Sequence, residues 1–155
     1  LTASVGHEVN RLAWEIRPTA LDDLGLQTAV QQFLEEWSET SKLQFDLHLT
    51  LSDRRLPPVI ETALYRTLQE AVTNVVKHAD ATQVGIILEG NEKEARLIIE
   101  DNGRGFHWGD VEVSPAPTVR LGLLGIRERL SLVGGTLEVE TAPGQGTTLI
   151  IHVPV

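Results

Sequence analysis

Cysteine is absent from this chain of 155 residues, and with it go disulfides, thiolate metal sites and thiol catalysis. That absence fits a reducing cytoplasm. Methionine is also absent and the first residue is Leu1, so the sequence is expected to be a fragment of something longer. No apolar run reaches the roughly 20 residues that a bilayer-spanning helix needs, and no signal-peptide pattern is present. Attachment of a longer parent to a membrane stays open. Positive charge is scarce: 13 Lys and Arg face 22 Asp and Glu, the formal net charge is −9, and no basic cluster is denser than Arg54-Arg55. A surface of that sign repels a phosphate backbone, which argues against nucleic acid as a partner. Any polyanionic ligand must then be neutralised locally, by a metal or a few placed cations. What remains is an ordinary globular composition, 41% hydrophobic and 23% charged, long enough for one domain with a real core.

Hydrophobic periodicity divides the chain. Val5, Val9, Leu12, Ala13 and Ile16 make a helical stripe over 1–17 that Pro18 ends. A second helix is predicted over about 24–40, capped by Asp22 or Asp23, with Leu26, Val30, Phe33, Leu34 and Trp37 inward. Leu43, Phe45, Leu47, Leu49 and Leu51 alternate with polar residues and predict a half-buried strand, with His48 on the wet face. Pro58 suits the first turn of a long helix over 58–79, packed through Ala63, Leu64, Leu68, Ala71, Val72, Val75 and Val76. Strands are predicted at about 82–89 and 95–100, and a long loop at 107–120. A short helix at about 123–133 then stops at Gly134-Gly135, before a hairpin of Leu137–Thr141 and Thr147–Val153. There are no internal repeats and no low-complexity tract.

Four small patterns stand on this frame. On the long helix Glu70, Asn74 and Lys77 lie four and three apart, which brings a carboxylate, an amide and an ammonium to one surface. Hard oxygens suit Mg²⁺ and a cation suits phosphate, but alone the pattern is also an ordinary exposed helix face. Asp101 ends a buried strand ahead of Gly103 and Gly105; it is either a plain turn or a carboxylate that accepts from an exocyclic amine where glycine lets a ligand approach. Gly122 and Gly125, at the start of the 123–133 helix, read as a hinge or as room for phosphate at a helix N-terminus. Gly144-x-Gly146-Thr147 reads by itself as a hairpin turn.

In this order the four patterns resemble the N, G1, G2 and G3 boxes of the ATP-binding domain shared by histidine kinases, type II topoisomerases, heat-shock-90 chaperones and mismatch-repair ATPases. The resemblance covers residues 40–155. Within that group EAVTNVVKHA and GLLGIRERL look like sensor histidine kinases whose dimerisation region is of the nitrate-sensor type. IRPTALDDLGL at 16–26 resembles the end of that family's second dimerisation helix and its join to the catalytic domain. The resemblance implies an α+β fold, a two-layer α/β sandwich whose mixed, mostly antiparallel sheet is covered on one face by helices. It implies a stem remnant at 1–19 and a catalytic ATP-binding domain at 20–155, with ATP and Mg²⁺ as cofactors.

Site residues carry over position by position. Asn74 corresponds to the residue that holds Mg²⁺ on the ATP phosphates, and Glu70 to the acidic residue that orders the metal and its water. Lys77 and His78 border the phosphates. Asp101 accepts from the adenine amino group, helped by Thr147 and a water, and Gly103 and Gly105 make space near the base. Gly122 and Gly125 bracket the lid. Such domains pass the γ-phosphoryl to a histidine by positioning and charge neutralisation. The expected partners are a response regulator and a second copy of the parent through the helical stem, in the cytoplasm, with no nucleic acid and no membrane segment in this stretch.

Two departures qualify the match. His7-Glu8 has the residue types of the phospho-acceptor pair but lies only ten residues before Arg17, on what should be the second stem helix. The accepting helix is therefore expected to lie outside this sequence. Arg120 stands where the family often has glycine, and would either stiffen the lid or supply a cation to the γ-phosphate. Arg127 and Arg129 are expected to anchor the short helix to the core. The rival readings are an anti-sigma-type serine kinase, which would lack the IRPTALDDLGL segment, and a nucleotide-free docking module with the same fold.

Overall fold

The computed structural model describes residues 18–106 and 117–155. The predicted helix over 1–17, with His7, and the loop positions 107–116 lie outside those residues. The elements run α1 (Thr19–Thr40), β1 (Gln44–Leu51), α2 (Pro58–Asn74, prolonged by a π turn at Val75–Ala79), β2 (Gln83–Gly90), β3 (Glu94–Asp101), α3 (Pro117–Ser131), β4 (Thr136–Thr141) and β5 (Thr147–Pro154).

The strands form one five-stranded sheet in the order β1-β2-β3-β5-β4. β1 runs parallel to β2, and every other pairing is antiparallel, so the sheet is mixed and mostly antiparallel as expected. Alternation decides the faces. Val84, Ile86, Leu88, Leu97, Ile99, Leu149, Ile151 and Val153 are buried, and they meet Leu26, Val30, Leu64, Leu68, Val72, Ile126 and Leu130 from the three helices in one core. The opposite face carries Asp46, Glu89, Arg96, Glu100 and Glu138, all exposed. This is the two-layer arrangement in which an antiparallel sheet keeps one face wet.

Three boundaries differ from the periodicity. α1 begins at Thr19 after Pro18 and not at 24, which puts Asp22 in its first turn; the helix is broken at Gly25, whose φ of 79° and ψ of 168° leave the helical region. Leu21, ahead of the break, is fully buried in the core. α2 does not stay α-helical to residue 79, because its last turn widens into π geometry at Val75–Ala79 and ends on Asp80 with φ 51°. α3 begins at Pro117, a residue pre-set for a first helical turn, so the predicted loop at 117–120 is helix.

The start of α1 is tied to α2 by a polar bond the periodicity could not show. Arg55 forks onto the buried Glu61 carboxylate at 2.8 and 3.3 Å and donates a further bond to the Leu21 carbonyl at 2.8 Å. The Glu61 side chain is 4% exposed and that of Arg55 53%, so removing the arginine takes an ion-pair partner from a buried carboxylate. Arg55→Ala is expected to cost about 3 kcal/mol, read by chemical denaturation, with Arg55→Lys recovering only part of it. An unshifted midpoint would show that the pair does not hold the junction.

Candidate functional site

The register places a polar row at one end of the covered face. Across three adjacent strands Asp101 lies directly opposite Thr147, and Thr147 opposite Thr141. Asp101 is 7% exposed. Its Oδ1 accepts the Gly103 N–H at 2.9 Å, and its carboxylate also accepts the backbone N–H of Thr147. Burial pushes the Asp101 carboxyl above the usual carboxylate range, the two backbone donors offset part of that, and the Glu100 charge adds slightly to the rise. A carboxylate has about four lone-pair sites, so two backbone donors leave it able to accept from a ligand.

The loop after Asp101 is clamped on both sides. Arg104 N–H donates to the Ala79 carbonyl at the end of the π turn at 2.8 Å, and Gly144 N–H donates to the Arg104 carbonyl at 2.6 Å. A Cβ on Gly103 would strike the Ala79 carbonyl oxygen, and one on Gly105 (φ 61°) the Ala142 carbonyl oxygen. The space left by these two glycines is thus filled by neighbouring backbone, and their role here is to let three loops close on one another. The same contact abuts the Asp101 loop on the turn that carries Lys77, exposed, and His78, half-buried. The π turn alters the i, i+3 relation on which the Asn74–Lys77 pairing rested.

Glu70 and Asn74 lie under α3. Gly122 sits so close to them that a Cβ there would be 2.9 Å from Glu70 Oε1 and 3.2 Å from Asn74 Nδ2. Asn74 Nδ2 is buried and has no hydrogen-bond partner. A buried amide without an acceptor costs about 1–3 kcal/mol, and such an orphan is where a ligand oxygen belongs. Gly122 and Gly125 both fall inside α3 and not at its N-terminus, which corrects the expectation of helix-start N–H groups at these positions. Gly125 has nothing within 4 Å of an added Cβ. Gly122→Ala should therefore displace the Glu70 carboxylate and, in the metal role that the resemblance implies for it, weaken Mg²⁺-dependent nucleotide binding several-fold, while Gly125→Ala should raise stability by about 1 kcal/mol through helix propensity alone. Calorimetric titration and thermal melts check the pair; equal effects at the two positions would contradict the contact. The Arg120 backbone lies in the first turn of α3, and its side chain is outside the described residues.

Among the described residues no group of three His, Cys, Asp or Glu could hold a metal unaided. Glu70 and Asn74 supply two hard oxygens, a set that suits a metal completing its shell with phosphate and water, as Mg²⁺ prefers. A cleft of about 560 Å³ also opens at the Asp101 end of the sheet, lined by Asp101 itself with Gln83, Gly85, Glu100, Asn102 and Gln145 among others. It wraps toward the uncovered face, away from Glu70 and Asn74, and is not the space the helix ridge serves.

Two residues at the site carry roles that the sequence motifs did not show. Asn102 accepts the Thr82 and Gln83 N–H groups at 2.9 and 3.0 Å and returns a bond to Thr82 Oγ1, stapling the start of β2 to the Asp101 loop. Thr141 reaches Thr147 across the hairpin at 2.9 Å. The period of two in β4, which turns Leu137 and Val139 inward, was the signal that could have found it.

Comparison with known proteins agrees with this geometry. The family described as histidine kinase-, DNA gyrase B-, and HSP90-like ATPase matches residues 59–155. The signal transduction histidine-protein kinase/phosphatase DegS of Brevibacillus brevis is 34% identical over 148 residues, 96% of this chain and 37% of that protein. The oxygen sensor histidine kinase NreB of Staphylococcus carnosus is 35% identical over 148 residues, 96% of this chain and 42% of that protein. The chain thus spans roughly two fifths of the length of these relatives. Among solved structures, the Acinetobacter baumannii histidine kinase AdeS superposes with a TM-score of 0.65 at 16% identity, over 99% of this chain and 79% of that one. The histidine kinase domain of the Erythrobacter litoralis EL346 blue-light activated kinase gives 0.53 at 21% identity, over 71% and 54%. At such identities the structures attest the shared fold.

Proposed function

The chain belongs to the histidine kinase-, DNA gyrase B- and HSP90-like ATPase family, and on that premise we propose that it is the ATP-binding catalytic domain of a two-component sensor histidine kinase. The observation that carries this reading is the pairing of a buried acceptor, Asp101, with an orphaned amide donor at Asn74, one suited to a base and the other to phosphate. Relatives named as histidine kinases over almost the whole chain support it.

In this reading Asp101 binds the adenine amine, and Thr147 stands beside it. Asn74 and Glu70 would hold Mg²⁺, which would supply neutralisation of the phosphate charge there. Lys77 and His78, on the π turn, border the phosphates, and Lys77 adds local positive charge in a chain of net charge −9. Gly122 lets α3 approach the metal ligands. The chain's own contribution is to bind, orient and exclude water; the reaction moves the γ-phosphoryl to a histidine on a stem helix, for relay to a response regulator. Residues 1–19 are read as the end of the stem and 20–155 as the catalytic domain, a boundary supported by the burial of Leu21 in the core. No helix among the described residues is long and apolar enough to cross a membrane. The reading places this domain in the cytoplasm, whether or not its parent is anchored, and has the parent dimerise through its stem.

Titration of the chain with ATP and Mg²⁺ tests the proposal, and saturable one-to-one binding is the expected result. A chain that binds no nucleotide would favour the docking-module alternative. The chain should also take up no phosphate from ATP by itself, since His7 lies too near the Arg17-Pro18 join to be the acceptor; acid-labile phosphate on His7 would contradict this.

A further inference from the structure

Thr141 ends β4 on the covered face, opposite Thr147. Its hydroxyl has three neighbours: the Phe106 backbone N–H at 3.1 Å, the Gly146 carbonyl oxygen at 3.0 Å and the Thr147 hydroxyl at 2.9 Å. A hydroxyl offers one proton and two lone pairs. The N–H can only donate, so Phe106 takes one lone pair. The carbonyl can only accept, so Gly146 takes the proton. One lone pair remains for Thr147, whose own proton must then point at Thr141. No other assignment makes all three bonds at once.

We propose that Thr141 is a positioning residue that fixes the Thr147 hydroxyl as an acceptor toward the ligand, and that this makes the site select a 6-aminopurine over a 6-oxopurine. The inference rests on the nucleotide reading above. With its proton committed to Thr141, Thr147 Oγ1 shows the ligand only lone pairs. Asp101, opposite it in the register, also only accepts when ionised. Side by side the two can each take one hydrogen of a single 6-amine. Asp101 alone would not discriminate, because a carboxylate accepts the N1–H of a 6-oxopurine as readily as the N–H of a 6-amine. The oxo group, however, needs a donor beside the carboxylate, and Thr147 can donate only if Thr141 releases its proton. Discrimination therefore depends on a residue placed behind the one that faces the base.

The test compares ATP with inosine triphosphate, which carries an oxo group at position 6 in place of the amine and an added N1–H, by calorimetric titration of the whole chain with Mg²⁺. The wild type should prefer ATP. Thr141→Val removes the acceptor for the Thr147 proton and should lower the ATP-to-ITP affinity ratio by roughly tenfold, while Thr141→Ser should retain it. If Thr141→Val melts before binding can be read, Thr141→Cys takes its place, because a thiol accepts only weakly, and the ratio should again fall. An unchanged ratio in the substituted chain, or a Ser variant that loses as much as Val, overturns the inference and leaves the nucleotide reading standing. A wild type that binds neither nucleotide overturns both.

Discussion

Asp101→Asn is expected to remove nucleotide binding, by about 100-fold or more in affinity, while leaving the fold at least as stable as the wild type. The loss follows from reversing the polarity of one atom. Asparagine keeps an oxygen for the Gly103 N–H, so that backbone bond stays made. Its second atom is an NH₂, which meets the adenine amine donor against donor. The stability follows from the raised carboxyl pKa. The native state holds the Asp101 proton more tightly than the unfolded chain does, so this group's contribution to stability grows as pH falls through the native pKa and is a cost at neutral pH. A neutral isostere removes that cost. The same titration predicts that ATP affinity declines as pH is lowered through the raised native value, above the ordinary carboxylate range, because a protonated Asp101 no longer accepts through both oxygens. Titration calorimetry and thermal melts of the variant check both halves. Unaltered ATP affinity would remove Asp101 from the site.

Asn74→Ala is the second large effect. It should spare adenine recognition, which lies on the strands, and abolish the gain in ATP affinity on adding Mg²⁺; in a longer protein carrying the acceptor, phosphoryl transfer should fall by about 10²–10³. Stability should again not suffer much, because the substitution deletes a buried amide nitrogen that has no partner. A variant that keeps the full Mg²⁺-dependent gain would refute the metal role. Both predictions share one physical form. In the proposed site, the side chains assigned to binding are held in states the apo fold would rather not keep, one a buried carboxylate and the other a buried donor without acceptor, which is the stability cost that function commonly exacts.

What the sequence made legible was whatever depends on local period or on backbone constraint. The strict alternation through β1 and the apolar stripe of α2 named their elements because burial on one face leaves no other reading. Asp101 with its glycines, and Gly146 before Thr147, were legible because close loop contact tolerates little else, and Gly144 because its φ of 76° favours glycine. The rest is set by partners distant in sequence. The break at Gly25 is invisible to a helical stripe that continues on both sides of it. The π turn at Val75–Ala79 has no composition of its own, and Pro115 and Pro117 disguised the start of α3 as loop. Glu61 passes for an ordinary first-turn carboxylate until Arg55 is seen to fold over it. Thr141 looks like a strand-end threonine until the register sets its hydroxyl against Thr147 and Phe106.

The most direct measurement is a crystal structure of the chain with Mg²⁺ and a non-hydrolysable ATP analogue. The account predicts the 6-amino group of the purine on the Asp101 carboxylate, the metal on the Asn74 and Glu70 side-chain oxygens, and α3 moved off the Asn74 amide to admit the phosphates. A purine whose 6-amine does not meet Asp101, or an unchanged α3 with no nucleotide beneath it, would contradict it.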